Sequence, residues 1–479
     1  MSYPKNLSSR IQYLNNFSTN NVKINPSNSQ VGLANVSTGG DVVIELPPNS
    51  MVDLSSLTLW ADFNTGLGVS ALASYRGYYL SRYANCLIRR IQVEIGGITV
   101  QDIDGYNQIN QIFSDMQYSY ESGSKKLLGN FDPLMKTNAN GTFNPLFRTI
   151  LDATPAPAKQ DTRKIAMNQF LGFLGGNGEQ KYLDTSICGN VRITFTFDSA
   201  SRVLIRSTAT AQTGVVADAV EAGIGNGAMT APTYTLNNVY ATIKKVSIDD
   251  GMFFSSIATA LSSGIPFTYM FHNFQQTKSN QTLGDLTLRM EASSSSCDMA
   301  LFTYYGATHN NIADLPDTAN LVIDGETDYP KTGVIGLASS GTENCYCSNY
   351  FKRIGDEIAT TKFFVNGERM PMYDLDNALV YDKLLQDFGK HDSTDDGIFP
   401  GINSFKSFEK NYWVASCRLS HVSSESGWIS GYNANGVPIT LEVQTTARAG
   451  AGADKIGQLW LMSSQVMQCY SGRQINIIK

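Results

Sequence analysis

The sequence predicts an all-β protein in which one antiparallel domain is built twice, in tandem. Three observations point there. Hydrophobicity alternates with a period of two over most of the chain, as half-buried strands require. Helical periodicity is confined to short stretches, chiefly within 93–116 and 363–388. Segments of the first half recur in the second half in one order. At 479 residues the chain exceeds one ordinary core and suits two β-domains of about 200 to 250 residues each.

The N-terminal stretch, residues 1–40, reads as a polar arm rich in Asn and Ser. Leu7, Ile11 and Leu14 form a short helical stripe on it, the candidate interaction residues of the chain. From residue 41 the period is two, and a first β-domain is expected over 41–251. VVIEL (42–46) stops at Pro47-Pro48, which lack the N–H a ladder needs. In LSSLTLWADF (54–63), Leu57, Leu59, Ala61 and Phe63 share one face and Thr58, Trp60 and Asp62 the other. IQVEI (91–95) alternates likewise and turns at Gly96-Gly97. Asp104 then suits the N-cap of a helix carrying Tyr106, Ile109, Ile112, Phe113 and Met116. VRITFTF (191–197) and LNNVYATIKKVSI (236–248) close this half, with a small-residue excursion at 207–233 between them. Residues 252–265 read as a linker, and 266–479 as the second domain.

Five correspondences make the duplication. LSSLTL (54–59) matches LGDLTL (283–288), and VEIGG (93–97) matches FFVNG (363–367). The helix of Ile109, Ile112, Phe113, Asp115 and Met116 matches Tyr381, Leu384, Leu385, Asp387 and Phe388. VRITFTF matches VPITLEV (437–443), and NVYATIKKV (238–246) matches QLWLMSSQV (458–466). One match means little in a small β alphabet, but five in one order signal a repeat. About eight short strands per copy, long crossovers and one inserted helix suit a jelly roll better than a propeller or an α/β fold. The expected architecture is therefore all-β, two tandem eight-stranded antiparallel jelly rolls, each with a short inserted helix.

Composition narrows the function. Only 16% of residues are charged against 42% hydrophobic, where a typical soluble domain has about 25% charged residues. Such a surface suits burial against other subunits. A net charge of −6 leaves no basic footprint for wrapping nucleic acid. With no apolar leader and no 18-residue apolar run, the reading is a protein made and kept in the cytosol. The seven cysteines are then expected as free thiols, Cys345 being the first suspect for any exception. His272, His309, His391 and His421 are dispersed, and no H-x-H pair exists, which a two-domain metal-dependent cupin enzyme would need. HDSTDD (391–396) reads as a solvated loop. No nucleophile elbow, zincin motif or phosphate-cradling loop is present. No catalytic residue, cofactor or metal ligand is assigned.

The stretches LPPNSMVDLSSLTLWADF (46–63), LIRRIQVEIGGITVQDIDGYNQINQIF (87–113), NGVPITLEVQT (435–445) and GQLWLMSSQVMQC (457–469) resemble double jelly-roll major capsid proteins. That lineage includes virophages, polinton-like viruses, nucleocytoplasmic large DNA viruses and, more distantly, adenoviral hexons. The resemblance implies a structural protein of an icosahedral DNA-virus shell, a homotrimeric capsomer with a pseudo-hexameric outline. It implies assembly in the host cytoplasm or virus factory and residence in the virion. Its implied partners are further copies of itself, neighbouring capsomers, penton and minor capsid proteins, and an internal membrane reached through the N-terminal arm, without sequence-specific binding of nucleic acid. The competing reading is a tandem β-sandwich carbohydrate-binding adhesin or fibre protein. It would present clustered exposed aromatics, for which Trp413 and Trp428 are the candidates. Trp413, in YWVAS, is expected inside.

Overall fold

The computed structural model describes residues 17–27, 40–65, 77–80, 83–117, 163–175, 182–207, 234–248, 251–281, 285–305, 350–389, 405, 408–409, 412–420, 431–434, 438–448 and 455–478. In the first half one sheet runs in the order β1 (Phe17–Ile24), β11 (Tyr234–Ile248), β3 (Met51–Thr65), β7 (Arg163–Met167), with β8 (Tyr182–Asp184) also on β3. The facing sheet runs β2 (Asp41–Glu45), β9 (Val191–Phe197), β5 (Ile88–Ile95), β6 (Ile98–Asp104). In the second half the orders are β12 (Phe267–Gln281), β19 (Lys455–Tyr470), β14 (Cys297–Tyr305), β17 (Ala415–Arg418), with β20 (Gln474–Ile478) on β19, and β13 (Leu286–Ala292), β18 (Ile439–Ala447), β15 (Ile358–Val365), β16 (Glu368–Arg369). A small ribbon pairs β4 (Gly77–Leu80) with β10 (Leu204–Ser207).

Without the ribbon and the added strands β8 and β20, both halves have one plan. Numbering the paired strands of each half from first to eighth, the sheets read first-eighth-third-sixth and second-seventh-fourth-fifth in both. This is the wiring of a jelly roll. The helix inserted between the fifth and sixth strands is α1 (Tyr106–Gln117) in the first roll and α3 (Asn377–Asp387) in the second. A further helix, α2 (Gly251–Ser262), joins the rolls and fills most of the stretch read as linker.

The fourth-to-fifth strand turns are the same object in both copies. Ile95 pairs Ile98 across Gly96-Gly97, with φ of 58° and 84°. Val365 pairs Glu368 across Asn366-Gly367, with φ of 51° and 83°. Two consecutive left-handed residues make a type I′ turn, the two-residue loop whose twist matches the strands it joins. The alternation in the sequence becomes burial: Leu57, Leu59, Ala61 and Phe63 are all at 2% exposure or less, as are Ile91, Val93 and Ile95.

Four expectations need correction. LSSLTL lies in β3, a third strand, whereas Leu286–Leu288 lies in β13, a second strand. Those two segments are not counterparts, and the positions matching β3 belong to β14. VRITFTF and the ITLEV of VPITLEV do both lie in seventh strands, but offset by four residues: Ile95 faces Val191 in β9, while Val365 faces Leu441 in β18. An even offset preserves the inward face, so alternation alone does not reveal it. Asp104 is the last residue of β6, not a cap; Gly105, at φ 69°, precedes α1 and accepts from the Gln108 N–H. The N-cap appears in the other copy, where the Asp376 carboxylate accepts from the Leu379 N–H at 2.8 Å. Finally, the polar stretch read as arm contains β1, which pairs along its length with β11. Leu7, Ile11 and Leu14 lie outside the described residues.

Candidate functional site: the seam between the rolls

The richest constellation of buried polar groups lies where α1 and β6 of the first roll meet β12 and β19 of the second. Apolar contacts frame it. Phe113 of α1 packs edge-on to Phe274 and Phe388, both with ring centroids 5.6 Å away. Phe173 meets Tyr269 at 4.8 Å and Phe271 at 5.2 Å. The buried side chains of both rolls form one continuous cluster.

Inside this frame the bonds are polar. Gln101 of β6 donates to the His272 carbonyl at 2.7 Å and accepts from the Phe173 N–H at 2.7 Å. The Gln108 Oε1 accepts from Lys278 at 3.2 Å and from Gln458 at 3.0 Å, and Gln458 also donates to Gln276. Gln276 donates to the Asp104 carbonyl at 2.8 Å. Gly105 permits this approach, because a Cβ there would sit 3.1 Å from Gln276 and 3.3 Å from Trp460. At the end of α1, Arg353 Nη2 reaches Asp115 Oδ2 at 2.8 Å with both side chains at 1% exposure or less. The Tyr83 hydroxyl and the Gln111 amide also bond Asp115.

This explains a helix that looks wrong in isolation. YNQINQIFSDMQ carries polar residues on most of its surface, yet Asn107, Gln108, Asn110, Gln111, Ser114 and Asp115 are all at 3% exposure or less. The second roll covers the side that would otherwise face water. Each buried amide bond contributes only about 0.5–1.5 kcal/mol, but leaving such a group unpaired costs about 1–3 kcal/mol. The bonds therefore select one docking geometry more than they drive docking.

Among the described residues the counterpart surfaces are open. Helix α3 buries Asn377, Val380, Leu384 and Asp387, while Leu379 stays 39% exposed. Beside it Met372 is 91% exposed and Tyr373 52%. β19 is buried on both faces from Ile456 to Leu461, but β11 and β3 alternate, leaving Tyr240 and Trp60 half-buried on the outer face. Their rings stack at 6.3 Å, and Lys23 lies 4.2 Å over Tyr240.

One Ser–His–Asp grouping occurs beside the seam, and its geometry is not that of a hydrolase triad. Ser464 Oγ donates to Asp298 Oδ2 at 2.6 Å and lies 3.4 Å from His272 Nδ1, which is itself 3.6 Å from that same oxygen. Ser296 holds the other carboxylate oxygen at 2.7 Å. In a triad the imidazole stands between serine and carboxylate and meets them through opposite ring nitrogens, whereas here Ser464 and Asp298 meet the same Nδ1 and each other. The group is a polar knot tying β12, β14 and β19 together. Among the described residues no cluster of three or more His, Cys, Asp and Glu side chains is placed to hold a metal ion, and no helix is long and apolar enough to cross a membrane. HDSTDD, Cys345 and Trp428 lie outside the described residues. Trp413 is fully buried and donates to Asn377 Oδ1 at 3.1 Å, as expected of a core tryptophan.

No family model matches the sequence, and no curated protein matches it. Solved structures do match. PBCV-1 VP54, fitted into a reconstruction of the virophage Sputnik, aligns with a TM-score of 0.55 at 10% identity over 99% of both chains. The Faustovirus major capsid protein gives 0.53 at 10% identity, over 100% of this chain and 93% of that one. The mavirus major capsid protein gives 0.50 at 10% identity, over 99% and 93%. The chain has the double jelly-roll fold. At this identity the likeness is one of fold, and it extends across both rolls.

Proposed function

We propose that this double jelly roll is a major capsid protein, the repeating unit of an icosahedral viral shell, closing as a homotrimer with six rolls in a ring. The observation that carries this is the mismatch between equivalent surfaces. The internal seam covers α1 and the outer face of the β12–β19 sheet. The equivalent α3 surface, and the outer face of the β1–β11 sheet, have no cover among the described residues. A second copy docking its first roll on α3 repeats the seam between molecules, and a heterologous contact of this kind closes into a ring. Three copies then share six similar interfaces. The full-length match to three viral capsid structures supports the same reading.

Residues 1–16 would serve as the arm, with Leu7, Ile11 and Leu14 meeting a minor capsid protein, a penton protein or an internal membrane. The location would be the virion. No chemical reaction is assigned. The adhesin reading loses one of its two candidate aromatics, because Trp413 is buried.

Light scattering coupled to size exclusion tests the trimer. The expected mass is three times the 52.3 kDa chain at micromolar concentration. Leu379→Arg and Tyr240→Glu, on the two open surfaces, should each give monomers with unchanged circular dichroism. A wild-type monomer, or trimers surviving both substitutions, would overturn the proposal.

A further inference from the structure

Cys188 and Cys469 belong to different rolls and lie 281 positions apart, yet their sulfurs are 3.0 Å apart. Cys188 ends the one-turn helix Thr185–Cys188, and Cys469 is the penultimate residue of β19. Both side chains are fully buried. A disulfide needs about 2.05 Å between sulfurs, so closing the bond requires a movement of roughly 1 Å. The segment bearing Cys188 suits such a movement, because Gly189 follows it at φ 94° and ends the helix.

A solvent cavity comes close to the Cys188 turn without reaching either sulfur. The cavity, of about 610 Å³, is lined by Pro47, Asn49, Thr185, Gly189, Asn190 and Arg473, so its wall includes the first residue of the Cys188 turn and the glycine that follows it. The pair is also chemically polarised. The hydrogen bond from Cys188 draws the Cys469 thiol below its ordinary range, and the same bond together with burial pushes Cys188 far above it. Of the two, Cys469 is therefore the thiol that ionises more readily, and thiolate is the attacking form. Cys297 and Cys417, pushed up to about 12 by burial, have no such partner among the described residues.

We propose that Cys188 and Cys469 are a disulfide-forming pair, a modification site that staples the first roll to the second when the protein meets a glutathione-type disulfide oxidant. The Cys469 thiolate attacks one sulfur of the oxidant, forming a mixed disulfide and releasing one thiolate. Cys188, giving up its proton, attacks the Cys469 sulfur and displaces the second. Two protein thiols are oxidised with loss of two protons and two electrons, and one oxidant disulfide is reduced to two thiols. The bond would close a loop of several hundred residues in the unfolded chain, where loop-closure entropy is large. The pair stays reduced in a reducing compartment and closes on leaving it. This inference is independent of the proposed assembly.

The test uses the purified full-length protein equilibrated at a series of oxidised-to-reduced glutathione ratios, acid-quenched, alkylated in denaturant and mapped by mass spectrometry. The expected result is a fall in alkylatable thiols from the seven of the sequence to five, with a Cys188–Cys469 peptide pair whose yield follows the glutathione ratio. Thermal unfolding should move upward on oxidation and return with dithiothreitol. Cys188→Ser and Cys469→Ser should each keep their remaining six thiols alkylatable. Should either variant misfold, the wild-type peptide map decides alone. Seven alkylatable thiols at the most oxidising ratio, a bridge between other cysteines, or glutathione held on either residue without bridging would overturn the proposal.

Discussion

At the scale of the residue, the Arg353–Asp115 pair is the sharpest feature of the seam. Both groups are nearly inaccessible and bonded at 2.8 Å. Removing one member strands the other in a medium of low polarity, a loss of about 3–5 kcal/mol, whereas replacing both with apolar residues is often neutral. Arg353→Met should therefore destabilise strongly, Asp115→Leu similarly, and the double variant should recover most of the loss. Denaturant unfolding of all four proteins measures this, and a strictly additive double variant would contradict it. Sequence reading missed these residues because buried amides and ion pairs look like surface positions. A weak signal existed: α1 is rich in Asn and Gln but carries a single charge, Asp115, which is unusual for a helix facing water.

The helix and the turn before it were the most legible elements. Two I′ turns and two amphipathic helices have local signatures that survive duplication. Strand rank did not survive it. LSSLTL and LGDLTL share a pattern because inward alternation looks the same in a second strand and a third; rank resides in pairings hundreds of residues away. β1 was illegible for another reason. FSTNNVKI is polar, mostly exposed, and gains its place by pairing with β11 instead of by burying a face. Deleting residues 2–16 should consequently leave the fold intact. Deleting 2–27 should strip the edge of β11, lowering the unfolding temperature by several degrees and abolishing trimers. Equal melting of the two truncations would show that β1 is dispensable.

For the whole molecule, buried acids set a limit at high pH. Burial pushes Cys297, Cys417 and Tyr304 up to about 12. In the unfolded chain thiols ionise near 8.5 and tyrosines near 10. Between those values and about 12 the unfolded state binds fewer protons than the folded one, so stability falls as pH rises. Below pH 8 these groups are protonated in both states and contribute nothing to the slope. Melting temperature should decline steadily from pH 9 to 11, and a flat profile there would refute the assignment. Seams of this kind, closed six times around a ring, would each need the area of a permanent interface, upward of about 2,000 Å². In such a ring the low charge fraction of the chain would be the compositional trace of that demand.

The amide-lined seam has a consequence for the nascent chain. β1 must wait for β11, and β12 for β19, so neither roll closes until most of its length has been synthesised. The first roll is then finished while the second is still on the ribosome, with α1 uncovered. An aliphatic docking face would be adhesive at that stage, as exposed apolar surface and strand edges are in slow-folding β-proteins. The face left waiting here carries Gln101 and Gln108, which water satisfies at little cost. The half-made protein is the more soluble through that interval because amides break up the apolar surface of Phe113 and Phe173 that it will later bury.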